Sequence, residues 1–223
     1  MIITIDGPVG TGKSTIADLL AEKLGFVHFD TGAMYRCVTY GIIKHNIDPS
    51  DDEQLGQYLK TFDFDIQVSD GKKRYFFEGE DITETIRSEE VTALVSEVSA
   101  IRSVRDVLVK FQRKLGSDAD AVFEGRDMGT VVFPQAELKI FLTADPKVRA
   151  SRRHKELREK FPEETLDITV DDVLENLNRR DSIDSTREIS PLKQADDAHI
   201  VDSSNLTTEE VLDRILQIKS EFS

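Results

Sequence analysis

Eight consecutive residues, Gly7-Pro8-Val9-Gly10-Thr11-Gly12-Lys13-Ser14, spell G-x-x-x-x-G-K-S. They follow the apolar run Ile2-Ile3-Thr4-Ile5 and precede a helix-like stretch from Thr15 to Leu24. This is the P-loop pattern in the setting it needs: a strand, a glycine loop, then a helix. The loop glycines let successive backbone N–H groups converge on phosphates, and the helix adds its positive N-terminal end. A lysine at position 13 can reach the outer phosphates, and the Ser14 hydroxyl suits Mg²⁺. The ligand class expected here is a nucleoside triphosphate.

A second group of residues suits charge stabilisation during phosphoryl transfer. Arg149, Arg152, Arg153, Arg158, Arg179, Arg180 and Arg187 crowd the segment 149–187. Arginine is always charged and binds phosphate oxygens bidentately, which the equatorial oxygens of a moving phosphoryl group require. Arg149, Arg152 and Arg153 share one helical face by spacing, and ion pairs to Glu156 and Glu159 are the competing use of that face. Arg36, the pair Arg126-Asp127 between glycines, and the set Arg180, Asp184, Arg187 are candidates for a second, phosphate-bearing substrate. An aspartate can accept from a sugar hydroxyl or a base amino group, and an arginine can bind a monophosphate or a base edge. The histidines at 28, 45, 154 and 199 show no metal spacing and read as structural, and Cys37 reads as a buried filler.

These groups must be positioned by elements legible as alternating strands and helices. Strands are expected at 2–6, 26–29, 121–124, 138–142 and 199–202. Helices are expected from about 11 to 24, 33 to 45, 52 to 62, 146 to 160, 169 to 181 and 208 to 222, with two more between Thr83 and Leu115. The region 63–82 breaks the pattern: Phe64, Ile66 and Val68 alternate with polar residues, and Ser69-Asp70-Gly71-Lys72 is a turn signal before Tyr75-Phe76-Phe77, so an antiparallel hairpin is expected there. Short apolar strands between helices predict a parallel sheet covered on both faces, with ligands at the carboxyl ends of its strands. Gly7, Asp30 and Arg126-Asp127 each follow such a strand, which predicts one shared site.

The whole-chain properties narrow the function classes. The 223 residues carry a formal net charge of −14, which excludes a general basic face for nucleic-acid polymers. A single cysteine allows no intramolecular disulfide and fits a reducing cytosol. No apolar run approaches the length of a membrane span, and the glycine loop begins too early for a cleaved leader, so a cytoplasmic protein with no membrane partner is expected. The N-K-x-D reader of guanine switches does not occur, and Phe123-Glu124-Gly125 matches the acidic strand end of motor ATPases poorly.

Taken together, the motifs resemble the bacterial-type cytidylate kinases of the P-loop nucleoside monophosphate kinase superfamily. The resemblance rests on residues 5–14, Asp30-Thr31-Gly32-Ala33-Met34-Tyr35-Arg36, residues 77–82, Ile86-Arg87-Ser88, Val104-Arg105, residues 125–134 and the R-D-x-x-D-x-x-R run at 180–187, in order along the chain. It implies an α/β fold, a five-stranded parallel sheet flanked by helices, with a monophosphate-binding insertion and an arginine-rich lid. The implied boundaries are a core of 1–30, 118–148 and 190–223, a monophosphate-binding region at 31–117 and a lid near 149–168.

The implied reaction is transfer of the γ-phosphoryl group of ATP to CMP or dCMP, giving ADP and CDP or dCDP, by a monomer carrying Mg²⁺ with its ATP. Gly7, Pro8, Val9, Gly10, Thr11, Gly12, Lys13, Ser14 and Thr15, with Arg153 and Arg158 of the lid, would bind ATP, and Ser14 would meet Mg²⁺. Thr31, Arg36 and Arg126 would bind the acceptor phosphate; Ser96, Arg105, Asp127 and Arg187 would read cytosine; Tyr35, Arg180 and Asp184 would address the sugar. Lys13, Arg126, Asp127 and Arg153 would act on the moving group. Ser14 replaces the glycine common at this place in the family, and serine is the general P-loop choice. Kinases of other acceptors, such as UMP or AMP, and a nucleotide switch are the rival readings.

Overall fold

In the computed structural model, which describes residues 1–69, 72–162 and 165–221, the apolar run at the start of the chain forms β1 (Ile2–Asp6). There follow α1 (Lys13–Leu24), β2 (Val27–Asp30), α2 (Thr31–Lys44), α3 (Asp52–Thr61), β3 (Phe64–Ser69), β4 (Lys72–Phe77) and β5 (Glu80–Asp81). A 3₁₀ turn (Thr85–Arg87), α4 (Glu89–Val98) and α5 (Arg102–Asp118) lead to β6 (Ala121–Gly125). A π-helical turn (Met128–Val132), β7 (Leu138–Thr143), α6 (Pro146–Lys160), α7 (Val170–Thr186), β8 (His199–Asp202) and α8 (Thr208–Ser220) complete the order. The chain divides into two compact units, residues 1–30 with 113–223, and residues 31–112.

The first unit holds a five-stranded sheet in the order β2-β6-β1-β7-β8, every pairing parallel. Ile3 and Ile5 of the central strand are fully buried, and Ile16, Ala17, Leu20 and Ala21 of α1 pack into the same core with Val211, Ile215 and Ile218 of α8. Each large apolar side chain taken from water here stabilises the unit by about 1.5–3 kcal/mol. Helix ends are chosen by the sequence. Thr207 and Glu210 form a capping box at α8, Thr169 and Asp172 another at α7, and Asp145 caps α6 ahead of Pro146. Because all strands run the same way, the carboxyl ends of β2, β6 and β1 are neighbours. Asp30, the turn after Gly125 and the glycine loop therefore share one edge, as the strand-end reading expected.

The second unit packs α2, α3 and α4 with a three-stranded antiparallel sheet, β3-β4-β5. Its register sets Phe64 opposite Phe77 and Ile66 opposite Tyr75, so one face is aromatic. Phe62, Phe64, Phe77 and Tyr58 form a cluster with ring centroids 5.5–5.8 Å apart. A third short strand, β5, joins the expected hairpin; the turn residues Asp70 and Gly71 lie outside the described residues.

Three differences from the sequence reading bear on the site. Helix α2 starts at Thr31, not Ala33, so Gly32 sits in the first turn, where helix N–H groups lack helical partners anyway. Helix α7 continues to Thr186, past the expected end at Asp181. Residues 182–186 have weak apolar periodicity, but the Ser185 and Thr186 hydroxyls bond back to the Asp181 and Ser182 carbonyls at 2.7 Å. The π-turn after β6 was not expected; Asp127 O accepts from both Val131 N (2.9 Å) and Val132 N (3.2 Å). The closing helix ends at Ser220, and the expected end at Phe222 lies outside the described residues.

Candidate active site

The glycine loop turns sharply off the carboxyl end of β1. Gly7 has φ +152°, and a Cβ there would stand 2.0 Å from the Leu142 carbonyl oxygen, so only glycine fits against β7. Gly12, at φ +90°, is the N-cap of α1 and supplies no side-chain cap, leaving the first helical N–H groups facing the loop. Neighbours hold this cradle open. Asp181 accepts from Val9 N (3.2 Å) and from Arg149 Nη1 (2.5 Å), and Arg149 Nη1 also donates to Val9 O (2.9 Å). Ser203 Oγ reaches Thr11 O at 3.2 Å, and Thr11 Oγ1 donates to Pro8 O.

Lys13 is buried and donates to Pro8 O at 2.6 Å. Burial, helped by the Arg126 charge, pushes its ammonium down to about 7, against the pull of Glu124, Asp181 and Asp6. Arriving phosphates would favour the charged form again. Ser14 is exposed and donates to Glu124 Oε2 at 2.9 Å, and Thr15 lies exposed on α1. A serine hydroxyl beside a carboxylate is an oxygen donor set, which fits a hard cation such as Mg²⁺. Among the described residues there is no group of three or more His, Cys, Asp or Glu side chains that could hold a metal ion.

Next to the cradle, an ion-pair lattice joins the turn after β6 to α7. Arg126 Nε donates to Asp184 Oδ2 at 2.8 Å. Arg187 Nη2 lies 3.7 Å from Asp127 Oδ1 and its Nη1 4.0 Å from Asp184 Oδ1, while its Nε donates to Ser190 O at 2.6 Å. The longer α7 puts Arg180 and Asp184 one turn apart on one face. Arg180 Nε is buried with no hydrogen-bond partner, and burial with the Arg126 charge pulls its guanidinium down to about 10, still charged near neutrality. Arg153 pairs with Glu156 at 2.8 Å, and Arg158 is exposed.

The remaining candidates lie in the second unit, all on helices. Arg36 of α2 donates from Nη1 to Ile86 O (3.0 Å) and Thr92 Oγ1 (2.8 Å). Arg105 of α5 is buried, donates to Ser99 O (3.1 Å), and sets its guanidinium 5.3 Å from the Tyr35 ring centroid, a cation–π contact. Thr31 of α2 and Ser96 of α4 are buried.

Sequence reasoning missed several supports. Asp6, at the end of β1, accepts from Met128 N (2.9 Å) and Gly129 N (2.8 Å) and so fixes the turn that carries Arg126 and Asp127. Burial pushes its carboxyl up to about 6, and the two N–H donors hold it from rising further. The three arginines grouped on one face of α6 divide their tasks: Arg149 braces the glycine loop, Arg152 donates to Ser203 O (2.7 Å), and Arg153 takes the expected pair with Glu156. Glu124, read as a poor acidic strand end, holds Ser14. The available signal was a charged residue at the carboxyl end of an otherwise apolar strand run, Asp6 in β1 and Glu124 in β6.

A glycine loop at the end of the central strand of a parallel sheet, with a buried lysine and a lattice of arginines beside it, defines a P-loop phosphoryl-transfer protein of the α/β class. The sequence model for the family Cytidylate kinase matches residues 3–221. The cytidylate kinase of Protochlamydia amoebophila is 57% identical over 219 residues, covering 98% of this chain and 96% of that protein. That of Bacillus subtilis is 43% identical over 215 residues, covering 96% and 94%. A solved structure, an uncharacterized protein from Eubacterium ventriosum, aligns over 99% of this chain and 98% of its own with a TM-score of 0.55 at 12% identity, a likeness of fold alone. This chain belongs to the cytidylate kinase family. No helix among the described residues is long and apolar enough to cross a membrane.

Proposed function

We propose that this protein transfers the γ-phosphoryl group of ATP to CMP or dCMP, giving ADP and CDP or dCDP. Residues Gly7 to Thr15 bind the ATP phosphates; Lys13 follows the moving group, and Ser14 meets the Mg²⁺ that ATP brings. That ion supplies charge neutralisation at the phosphate oxygens. Arg126 binds the acceptor phosphate, Asp127 and Arg187 read the base, and Arg180 and Asp184 address the sugar. In the second unit, Thr31 and Arg36 serve the acceptor phosphate, Tyr35 the sugar, and Ser96 and Arg105 the base. Arg153 and Arg158 of α6 act from a lid, Arg153 leaving Glu156 to do so.

The observation that carries this reading is the grip of Asp6 on Met128 N and Gly129 N, which joins the donor cradle to the Arg126-Asp127 turn across adjacent strands. Donor lysine and acceptor arginine are thereby preorganised, which is most of what phosphoryl transfer asks of a protein. The acceptor is a phosphate oxygen already ionised near neutral pH, so the reaction needs no strong general base. We place the protein in the cytoplasm as a monomer that works on small nucleotides, with neither nucleic-acid polymer nor membrane as partner.

A coupled ADP-release assay with CMP, dCMP, UMP and AMP as acceptors tests the reading. CMP and dCMP are expected to be phosphorylated well ahead of UMP and AMP. Turnover of AMP well above CMP would overturn the base assignment.

A further inference from the structure

The mechanism above leaves one buried imidazole unused. His28 sits on β2 beside β6, with its Nε2 3.2 Å from Glu124 Oε1 and its Nδ1 3.1 Å from Asp18 Oδ1. Glu124 in turn accepts from Ser14 Oγ through its other oxygen, Oε2. Ser14 and Asp18 are one turn apart on α1, so the chain Ser14–Glu124–His28–Asp18 starts and ends on the same helix face. Both inner members are buried, His28 at 7% and Glu124 at 3% exposure. A closed bracket of this kind fixes rotamers that an isolated buried carboxylate would not keep.

A hydroxyl that gives a lone pair to a cation turns its hydrogen away, and that hydrogen needs an acceptor. Glu124 Oε2 is placed to be that acceptor. We infer that His28 is a positioning residue for the metal–phosphate corner: it holds the Glu124 carboxylate so that Glu124 keeps the Ser14 hydroxyl oriented toward Mg²⁺. The inference rests on the proposed role of Ser14. Without His28, Glu124 loses the contact at Oε1 and the Ser14 orientation is less tightly fixed, while the glycine loop, held by Asp181, Arg149 and Ser203, stays formed. The defect should therefore appear in the magnesium-dependent part of nucleotide binding and not in the rest.

The test is calorimetric titration with ADP, once in MgCl₂ and once in EDTA, on the wild type, Ser14→Ala, His28→Phe and His28→Gln. The ratio of the two dissociation constants is the readout. His28→Phe keeps the ring volume and is expected to cut the magnesium enhancement about tenfold, with affinity in EDTA and the KM for CMP unchanged. His28→Gln, which retains a donor toward Glu124, is expected to restore most of it. An equal loss with and without magnesium would make His28 a structural residue and overturn the inference, as would an enhancement unchanged in His28→Phe while Ser14→Ala abolishes it. An enhancement that survives Ser14→Ala would remove the Ser14 reading and this inference together. If His28→Phe does not fold, Glu124→Gln takes its place in the titration, with the same loss expected and an unchanged ratio overturning the inference.

Discussion

The two units solve the problem of placing charged side chains in opposite ways. In the first, every strand of the sheet points the same way, so the loops that leave β1, β2 and β6 emerge at one edge and bring Lys13, Asp30 and Arg126 with them. In the second, β3 and β4 run antiparallel, so successive turns fall at opposite ends and no edge collects them. None of the candidate residues lies on that small sheet; Thr31, Tyr35, Arg36, Ser96 and Arg105 sit on α2, α4 and α5 instead. A parallel sheet thus supplies a site through its topology. The helical unit carries its candidate residues on its helices, and its sheet serves as packing for an aromatic core. The first unit should be unforgiving at the reacting groups and at the close backbone approaches, and the second should act on one substrate at a time.

The largest effects should fall at the parallel edge. Lys13→Met and Arg126→Ala are each expected to lower kcat by on the order of 10³-fold or more, since under the proposed roles each removes a charge that stabilises the moving group. Far-ultraviolet circular dichroism and the melting temperature should stay near wild type. A rate within tenfold of wild type for either variant would break the comparison at its centre.

Backbone approach gives the next effect. Gly7→Ala places a methyl 2.0 Å from Leu142 O and should destabilise the protein by at least about 3 kcal/mol in urea unfolding. Gly56→Ala, on α3 of the second unit with nothing within 4 Å of the added carbon, should instead stabilise it by about 0.5–1 kcal/mol. Equal effects at the two glycines would deny that the glycine loop is specially constrained.

The clamp at Asp6 sets a pH signature. Its carboxyl is raised in the folded protein from 3.8 to about 6 by burial. The folded state therefore holds this proton more tightly than the unfolded state between those values. Its contribution is fully favourable below pH 3.8 and is lost as the pH rises through about 6, a change of about 3 kcal/mol. Urea midpoints across that window should show this fall superimposed on the titration of the other acids. Asp6→Asn, whose amide is a neutral stand-in for the protonated carboxyl, should lack this particular slope. A wild type and variant with parallel profiles would place the proton elsewhere.

Much of this architecture was legible in the sequence, and what was hidden has physical reasons. The strands at 121–124, 138–142 and 199–202 and the loop at 7–14 announce themselves because short buried strands and glycine loops are local patterns. The end of α7 was hidden because hydroxyl side chains, not apolar periodicity, carry it from Asp181 to Thr186. The π-turn at 128–132 was hidden because it depends on Asp6, more than a hundred residues away, gripping its N–H groups. The double duty of the α6 arginines was hidden for the same reason: Arg149 is assigned by Asp181 and Val9, neither of which is near it in sequence. Motifs marked the candidate groups, while the groups that hold them are set by tertiary contacts that no spacing rule encodes.

The smallest of these effects is the sharpest test of the second unit's independence. Arg105 is buried against the Tyr35 ring and tied to Ser99 O, so its guanidinium is held in place by its own unit. If its work is to read the acceptor base, Arg105→Met should raise the KM for CMP about thirtyfold, corresponding to roughly 2 kcal/mol for a charge-assisted hydrogen bond, and leave the KM for ATP unchanged. Arg105→Lys keeps the charge without the planar fork and should recover little, because base reading needs the fork geometry and a point charge does not supply it. Initial-rate kinetics with each substrate varied in turn decide the matter. A rise shared equally between CMP and ATP would mean that Arg105 supports the fold as a whole, and the division of labour between a topological edge and a set of helix faces would fail at the residue where it is most clearly drawn.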